Sequence, residues 1–198
     1  MAQVAARNMK KLQEPALFRG LLNDPRAGWL WLLPRLWLGW QWLQAGWHKI
    51  NDAAWMQGGE ALKGFWTYAV SIPENGRPPI AYDWYRSFIQ AMLNAQAYTW
   101  FAKLVAVGEV LIGAALILGL FTGIAALFGG FMNWNFMMAG SAGVNPMYFV
   151  ISIALALAWK ASGYIGLDYF ALRLFGRRTT EVEEAAGRLE PRPQPASD

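Results

Sequence analysis

The chain has 198 residues, of which 56% are hydrophobic and only 15% are charged, against about 25% charged residues in typical soluble domains. Such a composition excludes an ordinary soluble globule, and the twelve tryptophans are typical of helices that cross from hydrocarbon to lipid headgroups. The absence of cysteine excludes disulfides and thiolate metal sites, and the net charge of +4 lies mainly beside apolar segments, where it sets membrane topology and does not indicate nucleic acid as a partner.

Four apolar segments are predicted to cross the bilayer as helices. They cover residues 27–47, 98–118, 122–139 and 146–163, and each is close to the ~20 residues that span a hydrocarbon core of about 30 Å. Pro34 lies inside the first span and predicts a kink there. Because residues 101–139 are too long for one span, the chain must reverse within GLFTG at 119–123, where glycine permits a tight turn. The sequence therefore predicts an all-α fold, a four-helix transmembrane bundle.

Three segments lie outside these spans. Residues 49–97 are too polar to cross the bilayer and too apolar to be disordered, so we predict a partly helical extracytoplasmic cap between the first two spans. Within it, WMQGGEALKGFWTYAV and YDWYRSFIQAMLNAQAY predict helices on either side of an irregular SIPENGRPP. Residues 1–26 are predicted as a cytoplasmic N-terminal segment and residues 177–198 as a disordered cytoplasmic tail, so the membrane domain covers 27–176.

Basic residues at the ends of the chain predict its orientation. Five of them precede the first span and three follow the fourth: Arg7, Lys10, Lys11, Arg19 and Arg26, then Arg173, Arg177 and Arg178. Since short cytoplasmic flanks carry an excess of Lys and Arg, both termini are predicted to be cytoplasmic.

Arg35 and Glu109 lie deep inside the first and second spans. Both are roughly 12–15 Å from the faces at which their helices enter the bilayer, so we predict that they form an ion pair near the midplane. An unpaired charge there would cost at least about 2.5–3.5 kcal/mol. Asn133 in the third span reaches a similar depth and would complete a polar cluster. Two interpretations stay open: the cluster only fixes helix register, or it lines a quinone-headgroup site or a proton path.

A second polar group is predicted at the outer end of the bundle. His48 and Lys49 close the first span, Lys103 opens the second, and Asn145 precedes the fourth. The imidazole of His48 can accept a proton, so beside the two lysines it would bind a small anion or act as a proton acceptor. The alternative is ordinary interfacial anchoring by Trp47, His48 and Lys49. With a single histidine and no cysteine, no metal site is expected.

Three glycine-patterned stretches carry a family resemblance through their order and spacing. They are RLWLGWQWLQAGWHKI, GEVLIGAALILGLFTGIAALFGGF and SGYIGLDYFAL, and together they resemble the DoxX/DoxD-like membrane proteins, which include the large subunit of thiosulfate:quinone oxidoreductase. The resemblance covers most of residues 27–175 and implies a four-helix bundle in the cytoplasmic membrane of a bacterium or archaeon. The positions that recur in the family are Arg35, Gly39, Gly46, Lys49, Glu109 and Gly119.

For the thiosulfate-oxidising members, the resemblance implies that two thiosulfates join into tetrathionate while electrons pass to quinone. The residues assigned to catalysis are then Arg35, Glu109 and His48, and those assigned to substrate binding are Lys49, Lys103, Asn133 and Asn145. The expected partners are the lipid bilayer, membrane quinone and a small second subunit that this chain does not include, with a homo-oligomer left open. The alternative is a non-catalytic membrane scaffold subunit or a small-molecule carrier.

Overall fold

The computed structural model describes residues 15–171, and most of these residues are helical. In chain order the helices are α1 (Ala16–Asn23), α2 (Gly28–Ile50), α3 (Ala53–Met56), α4 (Glu60–Val70), α5 (Asp83–Asn94), α6 (Tyr98–Leu118), α7 (Thr122–Met138), α8 (Asn145–Leu157) and α9 (Trp159–Tyr164). A 3₁₀ turn, Pro25–Ala27, links α1 to α2, and residues 167–171 are again helical. No strand occurs between residues 15 and 171, and the predicted all-α class is confirmed. The predicted tail, 177–198, and the first fourteen residues lie outside the described part.

The long helices differ in length and apolarity. Within the described chain, α6 is the one helix that is both long and apolar enough to cross a membrane by itself. Helices α7 and α8 have 17 and 13 residues, fewer than the ~20 of an ordinary span. Helix α2 has 23 residues but includes Arg35, His48 and Lys49. Four separate spans therefore stay a prediction.

Glycines set the contact between α2 and α6, which run antiparallel and pack closely along their length. A Cβ added to Gly46 would lie 2.6 Å from the backbone nitrogen of Val110, and one added to Gly39 would lie 3.1 Å from that of Ile117. Only glycine lets the two backbones approach so closely. The register follows, because Gly46 lies level with Val110 and Gly39 level with Ile117.

Helices α7 and α8 form a second packed pair, which joins α2 and α6 around a common apolar core. The buried members of this core are Leu38, Trp42, Ile112, Leu116, Ala125, Ala126 and Leu155. Between α6 and α7 the chain reverses at the predicted turn. Gly119 ends α6 with a φ of +63°, and Phe121 precedes α7 with a φ of +50°. The left-handed backbone is natural at Gly119 and uncommon at Phe121, and the predicted reversal is confirmed.

The cap helices α3, α4 and α5 bury an apolar cluster of their own. Its members are Leu62, Trp66, Ala69, Ile80, Tyr85 and Ile89, with Ala97, Ala102 and Ala139. The hydroxyl of Tyr85 donates to the carbonyl of Asn135 at 3.1 Å, which joins α5 to α7. Helices are thus present where the cap was predicted, although the single helix expected from WMQGGEALKGFWTYAV is split between α3 and α4. The split occurs because Gly58 and Gly59 adopt φ values of +91° and +73°, which helical backbone does not allow.

The fourth predicted span is also two helices, α8 and α9, with a break at Ala158. Tertiary packing redirects the chain here. Gly123 of α7 has no side chain, which leaves room for Trp159. A Cβ added to Gly123 would lie only 2.8 Å from the Cβ of Trp159. Helix α9 then packs on α1 and on the start of α2. Helix α1 itself was not predicted from the sequence. The indole nitrogen of Trp31 donates to the carbonyl of Leu21 at 2.8 Å and ties α1 to α2.

Candidate functional site

A buried ion pair joins α2 to α6. The Nζ of Lys49 lies 2.5 and 2.7 Å from the two carboxylate oxygens of Glu109. The Glu109 side chain is only 1% exposed, whereas that of Lys49 is 20% exposed. Lys49 also lies over the ring of Trp55 in α3, 5.0 Å from its centroid. The pair therefore sits where the bundle meets the cap, with its carboxylate sealed in and its ammonium group close to the surface.

Arg35 does not pair with Glu109, and that prediction is wrong. The guanidinium donates instead to the carbonyls of Ser162 at 2.6 Å and Ile165 at 2.7 Å. The two helices are in antiparallel register through their glycines, so Arg35 lies beside Gly119 at the end of α6. Ten residues of helix separate that level from Glu109, which is about 15 Å along the axis. Arg35 and Glu109 are therefore far apart although they lie at similar distances from the ends of their helices, because the glycine contacts set a different alignment of α2 and α6.

Asp168 is a site residue that the sequence reasoning missed. Its carboxylate accepts hydrogen bonds from the backbone N–H groups of Phe121 at 2.5 Å and Thr122 at 2.8 Å, which caps the start of α7. Its own N–H donates to the carbonyl of Gly119 at 2.7 Å. An acidic residue placed against a helix N-terminus stabilises that helix. The sequence shows an acidic residue within the apolar segment SGYIGLDYFAL. Its hydrogen-bond partners could not be predicted, because they lie more than forty residues away in the chain.

Asn133 is fully buried in the bundle, in agreement with its predicted depth. It forms no hydrogen bond with Arg35 or Glu109, its two predicted partners. Neither amide atom has a hydrogen-bond partner among residues 15–171, and the same holds for the indole nitrogen of Trp42 and the hydroxyl of Ser152. The three residues gather around one face of α7. Trp42 Nε1 lies 3.1 Å from the position of a Cβ on Gly129, Ser152 packs against Gly130, and Asn133 follows one turn later.

This interior polar cluster, Trp42, Asn133 and Ser152, holds hydrogen-bonding capacity that the described chain does not use. The indole N–H and the amide NH₂ are donors, and the amide and hydroxyl oxygens are acceptors. Such groups could bind the carbonyl oxygens of a cofactor or internal water. Within residues 15–171, no three His, Asp or Glu side chains lie together as candidate metal ligands.

The predicted group at the outer end is brought together only in part. Lys49 turns inward to Glu109, while His48 and Lys103 are exposed. The amide of Asn145 donates to the carbonyl of Ser141 at 2.8 Å, so it holds the loop before α8. No hydrogen bond or ion pair links these four residues to one another in the part of the chain described. Their catalytic and binding roles stay predictions.

The comparisons with known proteins give one family and no individual relative. The family model for DoxX matches residues 30–139, a region that contains Arg35, the Lys49–Glu109 pair, Asn133 and the cap. No curated protein and no solved structure matches the chain. Since the matched region covers more than half of the 198 residues, the chain belongs to the DoxX family of membrane proteins.

Proposed function

We propose that the chain crosses the bilayer four times, through α2, α6, α7 and the α8–α9 segment, with the cap on the outer side and both termini in the cytoplasm. Large apolar side chains point outward on all four segments, among them Leu33, Leu111, Phe128 and Val150, each at least 60% exposed. An apolar surface of this extent needs a non-aqueous neighbour. Residues 145–164 together are as long as an ordinary span.

We further propose that the chain is the membrane subunit of a quinone-linked oxidoreductase that oxidises thiosulfate. In this reaction two thiosulfate dianions lose one electron each and form the S–S bond of tetrathionate, while a quinone takes up those two electrons and two protons to become a quinol. The observation that carries the proposal is the Lys49–Glu109 pair. A sealed carboxylate bonded to a partly exposed ammonium group can pass protons between the outer surface and the bundle interior.

The remaining residues divide between the two substrates in this proposal. His48 and Lys103 are exposed and supply positive charge for the thiosulfate dianion. Lys49 contributes little to that attraction because Glu109 neutralises it. Inside the bundle, Trp42 Nε1 and the Asn133 amide have no hydrogen-bond partner among the described residues, so they can donate to the quinone carbonyls. Arg35, bonded to two carbonyls after α8, acts as a positioning residue.

The test is thiosulfate-dependent reduction of a water-soluble quinone analogue. The chain is purified from its native membrane with any small subunit that accompanies it, and quinone absorbance is followed after thiosulfate is added. We expect bleaching with the wild type and its loss in Glu109→Gln, since the amide cannot carry the proton. Glu60→Gln removes an exposed cap carboxylate and should leave the rate unchanged. Absence of bleaching in every wild-type preparation, with or without a second subunit, would rule out the redox proposal.

The second candidate is a non-catalytic scaffold subunit or small-molecule carrier. It is favoured by one observation, that Lys49 and Arg35 are both engaged in holding the fold. Lys49 links α2 to α6, and Arg35 fastens the segment after α8. This candidate predicts a stable double variant in which leucine replaces both Lys49 and Glu109, and a wild type with no quinone reductase activity to lose.

A further inference from the structure

An apolar groove opens beside α7 at the end of the molecule that holds Arg35. Its volume is about 390 Å³, and it is lined by Ile124 and Leu127 on α7, Ala156 and Trp159 on the α8–α9 segment, and Thr122 and Asp168 at one end. Ile124, Leu127 and Trp159 are 42–58% exposed, so the groove opens sideways where α7 and α8 would face lipid. A cleft of this size and composition suits an extended apolar ligand.

Thr122 lies at one end of the groove and carries a hydroxyl group. Thr122 is fully buried, and its Oγ1 has no hydrogen-bond partner among the described residues. A buried hydroxyl without a partner is costly unless a ligand or water satisfies it. The neighbouring Asp168 carboxylate is already engaged by the N–H groups of Phe121 and Thr122. Of the polar side chains that line the groove, the Thr122 hydroxyl is therefore the one without a hydrogen-bond partner among residues 15–171, and a hydroxyl can donate to a ligand's carbonyl oxygen.

Positive charge lies at the rim of the same end. Lys160 follows Trp159 and lies 5.6 Å from the centroid of its ring. Helix α9 also contacts α1 and the 3₁₀ turn, which carry the exposed Arg19 and Arg26. The acids on these elements are Asp168 and Asp24, and both accept backbone N–H groups. Among the described residues of these elements, the three cations outnumber the two carboxylates, so the net charge beside the apolar groove is positive.

We propose that this groove binds one anionic phospholipid. An acyl chain lies along Ile124 and Leu127, the Thr122 hydroxyl donates to the ester carbonyl, and Lys160 pairs with the phosphate. The groove and its surroundings thus offer apolar contact to the tail, a hydroxyl to the ester and a cation to the headgroup of such a lipid. The proposal rests on the bilayer-spanning part of the proposed function and not on its redox part, so its test uses neither thiosulfate nor quinone turnover.

Native mass spectrometry of the full-length chain, released from detergent after equilibration with dioleoyl phosphatidylglycerol or dioleoyl phosphatidylcholine, measures the lipid retained. We expect one phosphatidylglycerol per chain and little phosphatidylcholine. Lys160→Gln should weaken retention about fivefold, the effect of one basic residue near an anionic surface, and Thr122→Val should weaken it as well. Ala156→Phe, which fills the groove, should abolish retention. The matched controls are Lys63→Gln and Thr67→Val in the cap, which should retain lipid as the wild type does.

Size-exclusion profiles and helical circular dichroism identify the folded variants, so a loss of lipid is read only from those. Equal retention of both lipids by the wild type would overturn the proposal, because the cationic rim would then select nothing. Undiminished phosphatidylglycerol in folded Ala156→Phe would also overturn it, since the lipid would lie elsewhere. Displacement of the lipid by added quinone at equal concentration would assign the groove to quinone and overturn it too.

Discussion

Removing Lys49 from the Lys49–Glu109 pair should lower the free energy of unfolding more than removing Glu109. In Lys49→Leu the Glu109 carboxylate, 1% exposed, loses the only cation that pairs with it among residues 15–171. Breaking a buried pair in this way costs about 3–5 kcal/mol. In Glu109→Leu the remaining Lys49 is 20% exposed and can extend its flexible chain to the surface, so we expect a loss of only about 1–2 kcal/mol.

The double variant Lys49→Leu/Glu109→Leu should be far more stable than the sum of the single effects predicts. Two leucines in contact leave no buried charge, and apolar replacement of a buried pair is often neutral. We expect the double variant within about 1 kcal/mol of the wild type, which gives a coupling energy of several kcal/mol. Unfolding in mixed micelles with increasing dodecyl sulfate, followed by tryptophan fluorescence and circular dichroism, measures each free energy.

A matched cycle on Lys63 and Glu60 controls for the method. That pair is exposed on α4, at 3.1 Å, and exposed pairs contribute little. We expect each Lys63 and Glu60 variant within about 0.5 kcal/mol of the wild type. Additive effects at Lys49 and Glu109 would show that the pair does not couple α2 to α6. A Lys49→Leu variant as stable as the wild type would refute the argument from burial.

Three further predictions concern packing, the interior polar cluster and the cap. Gly46→Ala should lower stability by about 1–3 kcal/mol, because the added Cβ would meet the backbone of α6. Gly108→Ala should raise stability by up to about 1 kcal/mol, because its Cβ would lie 3.8 Å from the sulfur of Met132 and meet no other atom within 4 Å. Equal melting temperatures for the two variants would contradict this. Asn133→Leu should raise the melting temperature, because it removes a buried amide that has no hydrogen-bond partner within residues 15–171. Under the redox proposal it should also weaken quinone binding measured by titration, and a lower melting temperature would contradict the first expectation. Burial raises the pKa of Tyr85 to about 12, so its contribution to stability is complete below the unfolded pKa of about 10 and is lost as the pH rises through 12. Tyrosinate absorbance at 295 nm should show a step near pH 12 in the wild type that is absent in Tyr85→Phe. If Tyr85→Phe instead lacks a step near pH 10, the burial argument is contradicted.

The local elements of the fold were readable from the sequence because they depend on local physics. The predicted bounds of the second span, 98–118, are those of α6, since the apolar run ends at a glycine that adopts the left-handed backbone. The bounds of the apolar runs likewise predicted α2 and α7 to within a few residues. Where the predictions missed, at the α3–α4 break and at Ala158, a glycine pair or a tertiary contact interrupted a continuous apolar pattern.

The pairing of charges required the tertiary structure. From the sequence alone, Arg35 and Glu109 were each known to be deep in a span, and depth could not say which cation would meet the carboxylate. The answer depends on how α2 slides and rotates against α6, which is decided where Gly39 and Gly46 let the backbones touch. Composition and the lengths of the apolar segments thus determined an all-α membrane protein with buried charges, whereas close packing between residues distant in the chain decided that Lys49, and not Arg35, neutralises Glu109.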